Sequence, residues 1–94
     1  KIVIADFHAD WCGPCRVLGP ILERVTGALT SGSGGTFDLV TVDTDEQVEL
    51  AKKYGVRALP TVIAFKGGEP VKQFVGAIPE PKVAEFLKSV TTGE

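Results

Sequence analysis

Ninety-four residues with 44% hydrophobic and 23% charged side chains suit one small folded domain, and this ordinary composition excludes a disordered, collagen-like or coiled-coil chain. Ten Lys plus Arg against twelve Asp plus Glu leave a formal charge of −2, which lacks the concentrated positive field that nucleic acid attracts. The longest apolar runs, Lys1–Phe7 and Leu59–Phe65, have strand length and fall far short of the roughly 18–20 residues of a membrane-spanning helix.

Lys1–Phe7 is β-branched and apolar on both faces, as in a central strand covered on each side. After Trp11, the positions Val17, Leu18, Ile21, Leu22, Val25 and Leu29 recur at three and four residues. That spacing predicts a helix from about Cys12 to Leu29, kinked at Pro20, with this stripe against the core. Residues Thr30–Thr36, rich in Ser and Gly, read as a loop, and Phe37–Val42 as a second strand. Asp43, Thr44 and Asp45 are candidate N-caps for a helix carrying Val48, Leu50, Ala51 and Tyr54, closed by Gly55. Thr61–Phe65 and Val71–Val75 flank Lys66-Gly67-Gly68-Glu69, a connection suited to an antiparallel hairpin. A last helix starts near Pro81 and turns Val83, Ala84, Phe86, Leu87 and Val90 inward, before a polar Thr-Thr-Gly-Glu end that frays. The order βαβαββα predicts an α/β chain of three layers, α/β/α, with a central mixed sheet, as a single domain over residues 1–94.

The chemistry-bearing motif is Trp11-Cys12-Gly13-Pro14-Cys15, between a strand and a helix. Cys12 is thereby placed where unpaired backbone N–H groups and the helix dipole favour an anion, here a thiolate. Lowering a thiol pKa from about 8.5 to about 7 needs only roughly 2 kcal/mol and takes the thiolate at pH 7 from a few per cent to about half. The three-residue offset sets Cys15 one turn on along the same helical face, within reach of Cys12, and Cys15 is expected to be the deeper sulfur. Pro14 donates no backbone hydrogen bond and stiffens the segment between the two sulfurs. Half of a zinc site completed by His8 or another chain, a structural disulfide, and two inert thiols are the competing readings of the pair.

The combination of Ala5-Asp-Phe-His-Ala-Asp-Trp-Cys-Gly-Pro-Cys-Arg16, Pro20, Val42-Asp43, Tyr54-Gly-Val-Arg-Ala-Leu-Pro-Thr61, Phe65-Lys-Gly-Gly68 and Val75-Gly-Ala77 resembles the thioredoxin family across essentially the whole chain. The resemblance implies a thioredoxin fold in which Cys12 attacks a substrate disulfide and Cys15 resolves the mixed disulfide. It further implies that Asp6 is a buried carboxylate handling the resolving proton and that Pro60 is a cis-proline facing the cysteines. A carboxylate at the end of an apolar strand tends independently toward a raised pKa, which suits a general base, although a hydrogen-bonded structural role is the alternative. By the same resemblance Trp11, Gly13, Pro14, Ala58, Leu59, Val75, Gly76 and Ala77 form an apolar docking patch, with Leu59 and Pro60 offering backbone hydrogen bonds to an extended substrate. Ordinary packing is the competing role for Val75 and Ala77.

The chain departs from the family pattern in two places. His8 stands where an aromatic residue, often Trp, is usual, which brings a ring that titrates between about pH 5 and 8 toward the site or simply packs there. Leu39 aligns with the lysine that bacterial members place beside the aspartate, so Asp6 is expected to lack a cationic neighbour. The family's first strand and helix precede Lys1, and with no initiator Met the chain reads as a fragment.

These residues lead to a general protein-disulfide reductase that cycles a Cys12–Cys15 dithiol–disulfide pair without a metal or bound cofactor. The resemblance implies recharging by thioredoxin reductase, an NADPH-dependent flavoprotein, with protein disulfides as substrates. A monomer in the cytoplasm, or in mitochondria, with no nucleic-acid or membrane partner, completes the expectation. An oxidase or isomerase and an adaptor domain of a larger protein are the alternatives.

Overall fold

Strand β1 (Ile2–His8) lies inside a four-stranded sheet ordered β2-β1-β3-β4, with β2 at Phe37–Asp43, β3 at Thr61–Lys66 and β4 at Glu69–Val75. The computed structural model describes residues 1–33 and 36–92. β1 runs parallel to β2 and antiparallel to β3, and β4 runs antiparallel to β3. The sheet is mixed, and both faces of β1 are covered, as its unbroken apolar run requires.

Alternation along β1 divides the core between the two faces. Ile2 and Ile4 pack with Leu18, Leu22 and Val25 of helix α1 (Gly13–Ser33), with Val62 and Ala64 of β3, and with Val83, Leu87 and Val90 of helix α3 (Glu80–Thr92). Ala5 and Phe7 point the other way, to Val42, Ile63, Leu50, Tyr54 and Val56 around helix α2 (Val48–Lys53). Each fully buried Leu, Ile or Phe contributes about 1.5–3 kcal/mol relative to exposure, so the two clusters hold the helices on the sheet. The arrangement is the expected three-layer α/β/α thioredoxin fold.

Several element boundaries differ from the sequence reading, each for a local reason. Helix α1 continues past Leu29 to Ser33, through most of the expected loop. Half-buried Leu29 still packs on the core, and Ser and Gly lower helix propensity without forbidding helix. Thr30 keeps a turn-like role, since its Oγ1 accepts the Phe37 backbone N–H at 3.2 Å and so ties the end of α1 to the start of β2. The loop expected at Gly34 and Gly35, and the fraying expected at Gly93 and Glu94, lie outside the described residues. Val17 is 61% exposed and does not belong to the core stripe, because it falls about 100° around the helix from Leu18. Val48 is exposed as well; Ala51 is the buried residue of α2.

Asp43, Thr44 and Asp45 do not cap α2. The cap position is Gln47, with no side-chain capping bond, while Asp43 Oδ1 accepts the Asp45 N–H at 2.9 Å in a turn that precedes the helix. The C-terminal end behaves as expected. Gly55 takes φ +66° and donates to the Lys52 carbonyl, and Val56 donates to that of Ala51, the paired bonds of a Schellman closure. In the β3–β4 hairpin, Gly67 and Gly68 both have positive φ, as a two-residue type I′ turn requires. β4 begins two residues before the expected Val71 and includes Pro70, which an edge strand tolerates because its outer N–H groups bond no neighbour. A register shift between Ala64 and Phe65, whose partners are Lys72 and Pro70, leaves Val71 as the extra residue of a bulge.

Candidate active site

The loop after β1 turns back at Ala9, whose carbonyl accepts the Cys12 N–H at 3.1 Å. α1 then opens at Gly13, so Cys12 occupies the position just before the helix, and the Cys15 N–H points at Cys12 Sγ at 3.3 Å. This is one of the first-turn N–H groups that have no partner within a helix, here directed at sulfur. Cys12 and Cys15 form a disulfide with Cα atoms 5.3 Å apart. In the reduced protein the same N–H and the helix N-terminus favour charge on Cys12. Both cysteines are buried, Cys12 4% and Cys15 6% exposed, in one cluster with Ala9 against which Leu59 packs, so residue exposure does not separate the two.

Leu59 brings the start of β3 to the sulfurs, and the Leu59–Pro60 peptide bond is cis. Pro60 is buried, and its carbonyl already accepts the Gly76 N–H at 2.8 Å. Proline has no N–H, so Leu59 is the residue of this pair with backbone groups free to bond an added strand among the described residues. Trp11, Gly13, Pro14, Ala58, Val75 and Ala77 are exposed around the cysteines, and Leu59 and Gly76 are half-buried. Trp11 is 70% exposed, a large apolar surface beside the disulfide.

Asp6 lies beneath this surface, 3% exposed, and its Oδ1 has no hydrogen-bond partner among the described residues. Burial pushes its carboxyl above the usual carboxylate range, and the charge of His8 opposes that shift. Asp6 and Cys15 line one cleft of about 300 Å³ together with His8, Arg16, Pro20 and Thr41. In the strand register Thr41 pairs with Asp6, and Leu39, paired with Ile4, lies two residues along β2 on the same face. Neither of these two β2 residues is cationic.

Three supporting contacts were not legible in the sequence. The Trp11 indole donates Nε1–H to Asp45 Oδ2 at 3.0 Å, and Thr44 donates both its backbone N–H and its Oγ1–H to the His8 carbonyl. Arg16 reaches back to the Asp10 carbonyl at 2.7 Å. The first two cross more than thirty residues of chain, so no local spacing signals them. Among the described residues, no group of three or more His, Cys, Asp and Glu side chains is placed to hold a metal ion.

The thioredoxin family model matches residues 1–89. The chain belongs to the thioredoxin family. A thioredoxin of Staphylococcus epidermidis is 42% identical over 86 residues, covering 92% of this chain and 79% of that protein. Mitochondrial thioredoxin of Bos taurus is 44% identical over 88 residues, covering 94% of this chain and 51% of its own length. The chain spans only about half the length of several curated relatives it matches. Among solved structures, Fasciola hepatica thioredoxin superposes with a TM-score of 0.81 at 35% identity, covering 94% of this chain and 79% of that one. A mutant thioredoxin from Halobacterium salinarum gives 0.78 at 39% identity, covering 94% and 73%. Thioredoxin relatives thus come from mitochondria and from bacteria, and among the described residues no helix is long and apolar enough to cross a membrane.

Proposed function

We propose that this chain, as one domain over residues 1–94, is a protein-disulfide reductase. The observation that carries the reading is the Cys12–Cys15 disulfide at the N-terminus of α1, with the Cys15 N–H directed at Cys12 Sγ. In the reduced protein, the Cys12 thiolate attacks one sulfur of a substrate disulfide. That S–S bond breaks, a mixed disulfide forms, and the first substrate thiolate leaves. The ionised Asp6 carboxylate takes the Cys15 proton, and the Cys15 thiolate attacks Cys12 Sγ. The products are the Cys12–Cys15 disulfide and a substrate dithiol, with two electrons passed to the substrate.

An extended substrate segment docks across Trp11, Gly13, Pro14, Val75 and Gly76, aligned by the Leu59 backbone beside Pro60. A separate NADPH-dependent flavoprotein, thioredoxin reductase, returns the electrons. The domain acts as a monomer in a reducing compartment, the cytoplasm or mitochondria.

The test is the equilibrium potential of the Cys12/Cys15 couple, read by Trp11 fluorescence and alkylation mass shifts in defined thiol–disulfide buffers. About −270 mV is the expected result, a figure that belongs to thioredoxins in general and not to any feature of this geometry. A potential near −180 to −120 mV would make the chain an oxidase or isomerase, and the absence of a reversible couple would make it a binding module.

A further inference from the structure

Asp6 has four neighbours on its own face of the sheet. Ile4 and His8 lie two residues before and after it on β1, Val62 is registered beside it on β3, and Thr41 on β2. Ile4 and Val62 are apolar and fully buried, and a threonine hydroxyl does not titrate in water. His8 is the one member of the set with an imidazole, which can accept a proton at one ring nitrogen and donate from the other. It is half-buried, and it lines the same cleft as Asp6 and Cys15.

We propose that His8 is the group through which the proton received by Asp6 leaves the site after each resolution step. This rests on the disulfide-reductase reading above. Cys15 Sγ–H gives its proton to the Asp6 carboxylate, and the resulting thiolate closes the Cys12–Cys15 disulfide. The Asp6 carboxylic acid then passes its proton to a ring nitrogen of neutral His8, directly or through one water, and the imidazolium releases a proton to bulk solvent. No electrons move in this second stage, and Asp6 is again a carboxylate for the next cycle.

The imidazole suits the step because a neutral ring accepts at one nitrogen and donates from the other. The remaining charged groups around the ring do not substitute for it. Arg16 and Glu23 come from α1, Asp10 from the loop after β1, and Asp43 is registered opposite His8 on β2. Arg16 offers only donors and is engaged by the Asp10 carbonyl, while Asp10 and Glu23 are exposed at the cleft rim.

The test mixes fully reduced protein with a short peptide bearing one intramolecular disulfide. Acid quenching and mass spectrometry then follow the rise of the mixed disulfide, which reports attack, and its decay, which reports resolution, from pH 5 to 9. The proton leaves Asp6 only after the first disulfide closes, so excess peptide and dithiothreitol sustain repeated turnovers. With His8→Phe, which keeps a ring, and His8→Gln, which keeps polarity, resolution from the second turnover on is expected to slow about tenfold at pH 7, while attack and the first resolution are unchanged. Tenfold lies below the range for a group that itself touches the reacting atoms. Added free imidazole is expected to restore most of the lost rate. Unchanged resolution in both variants, or slowing that imidazole does not relieve, overturns the proposal and leaves His8 a packing residue. Failure of the unsubstituted protein to form any mixed disulfide would instead overturn the reductase reading.

Discussion

Trp11 and Asp45 are joined by an indole N–H to carboxylate hydrogen bond of 3.0 Å that spans 34 residues of sequence and links the residue before Cys12 to the turn after β2. Asp45 is itself oriented by its own N–H on Asp43 Oδ1, and the neighbouring Thr44 grips the His8 carbonyl. The loop bearing the disulfide is therefore fastened to β2 from two directions. Asp45→Ala is expected to cost about 0.5–1.5 kcal/mol in urea unfolding, the range for one hydrogen bond with a charged partner near the surface. Trp11 is the only tryptophan, so its emission should shift in the same variant. An unchanged spectrum and midpoint would show that the bond does not hold the indole.

The order of the two sulfurs is tested by trapping. Cys12→Ser is expected to abolish turnover, because the thiolate favoured by the helix N-terminus is gone. Cys15→Ser should accumulate a mixed disulfide with substrate, since the resolving thiol is missing. Non-reducing mass spectrometry separates the two cases, and equal trapping by both variants would contradict the assigned roles.

Asp6 links chemistry to stability. Its folded-state pKa is raised above the unfolded value, first by burial. The folded chain therefore keeps a proton that the unfolded chain has released. The contribution of Asp6 to stability is greatest at a pH below the unfolded carboxylate value near 4, and falls as pH rises toward the raised folded value. Above that window the buried charge exerts its full cost. Asp6→Asn removes the charge and is expected to be more stable than the parent at pH 7, with the difference shrinking toward pH 4. The same variant should slow resolution while leaving attack on the substrate unchanged. Urea unfolding at several pH values, with single-turnover kinetics at pH 7, checks both halves.

Gly76 holds φ +94° while donating to the Pro60 carbonyl. A Cβ at this position meets no atom within 4 Å, so the cost of Gly76→Ala is one of backbone conformation alone. About 1–2 kcal/mol is expected in unfolding experiments, together with a raised KM for disulfide substrates as the Pro60 segment shifts. An alanine variant with parental stability and KM would show that the loop relaxes without moving Pro60.

The fold was legible where one physical signal dominated. Lys1–Phe7 is apolar on both faces and became an inner strand, and Leu18, Leu22 and Val25 lie a helical turn apart and became core. Val17 and Val48 were not separable from that core, because apolar type and local spacing alone do not reveal how wide the covered arc is. The cysteines at a helix start are a local pattern, as is the Gly55 helix closure. Thr41 beside Asp6 and Asp45 beside Trp11 depend on strand register and on a long-range turn, and pairwise spacing carries neither.

Pro70 and the bulge at Val71 bear on how this molecule behaves in a crowd of its own copies. A sheet margin with exposed Val71 and Val75 would ordinarily invite a second chain to add a strand and seed fibrils. On β4 such a chain would meet a residue with no donor, then a local bend, with charged Glu69 and Lys72 on either side. The apolar surface can therefore remain open next to the disulfide without serving as a template for self-assembly.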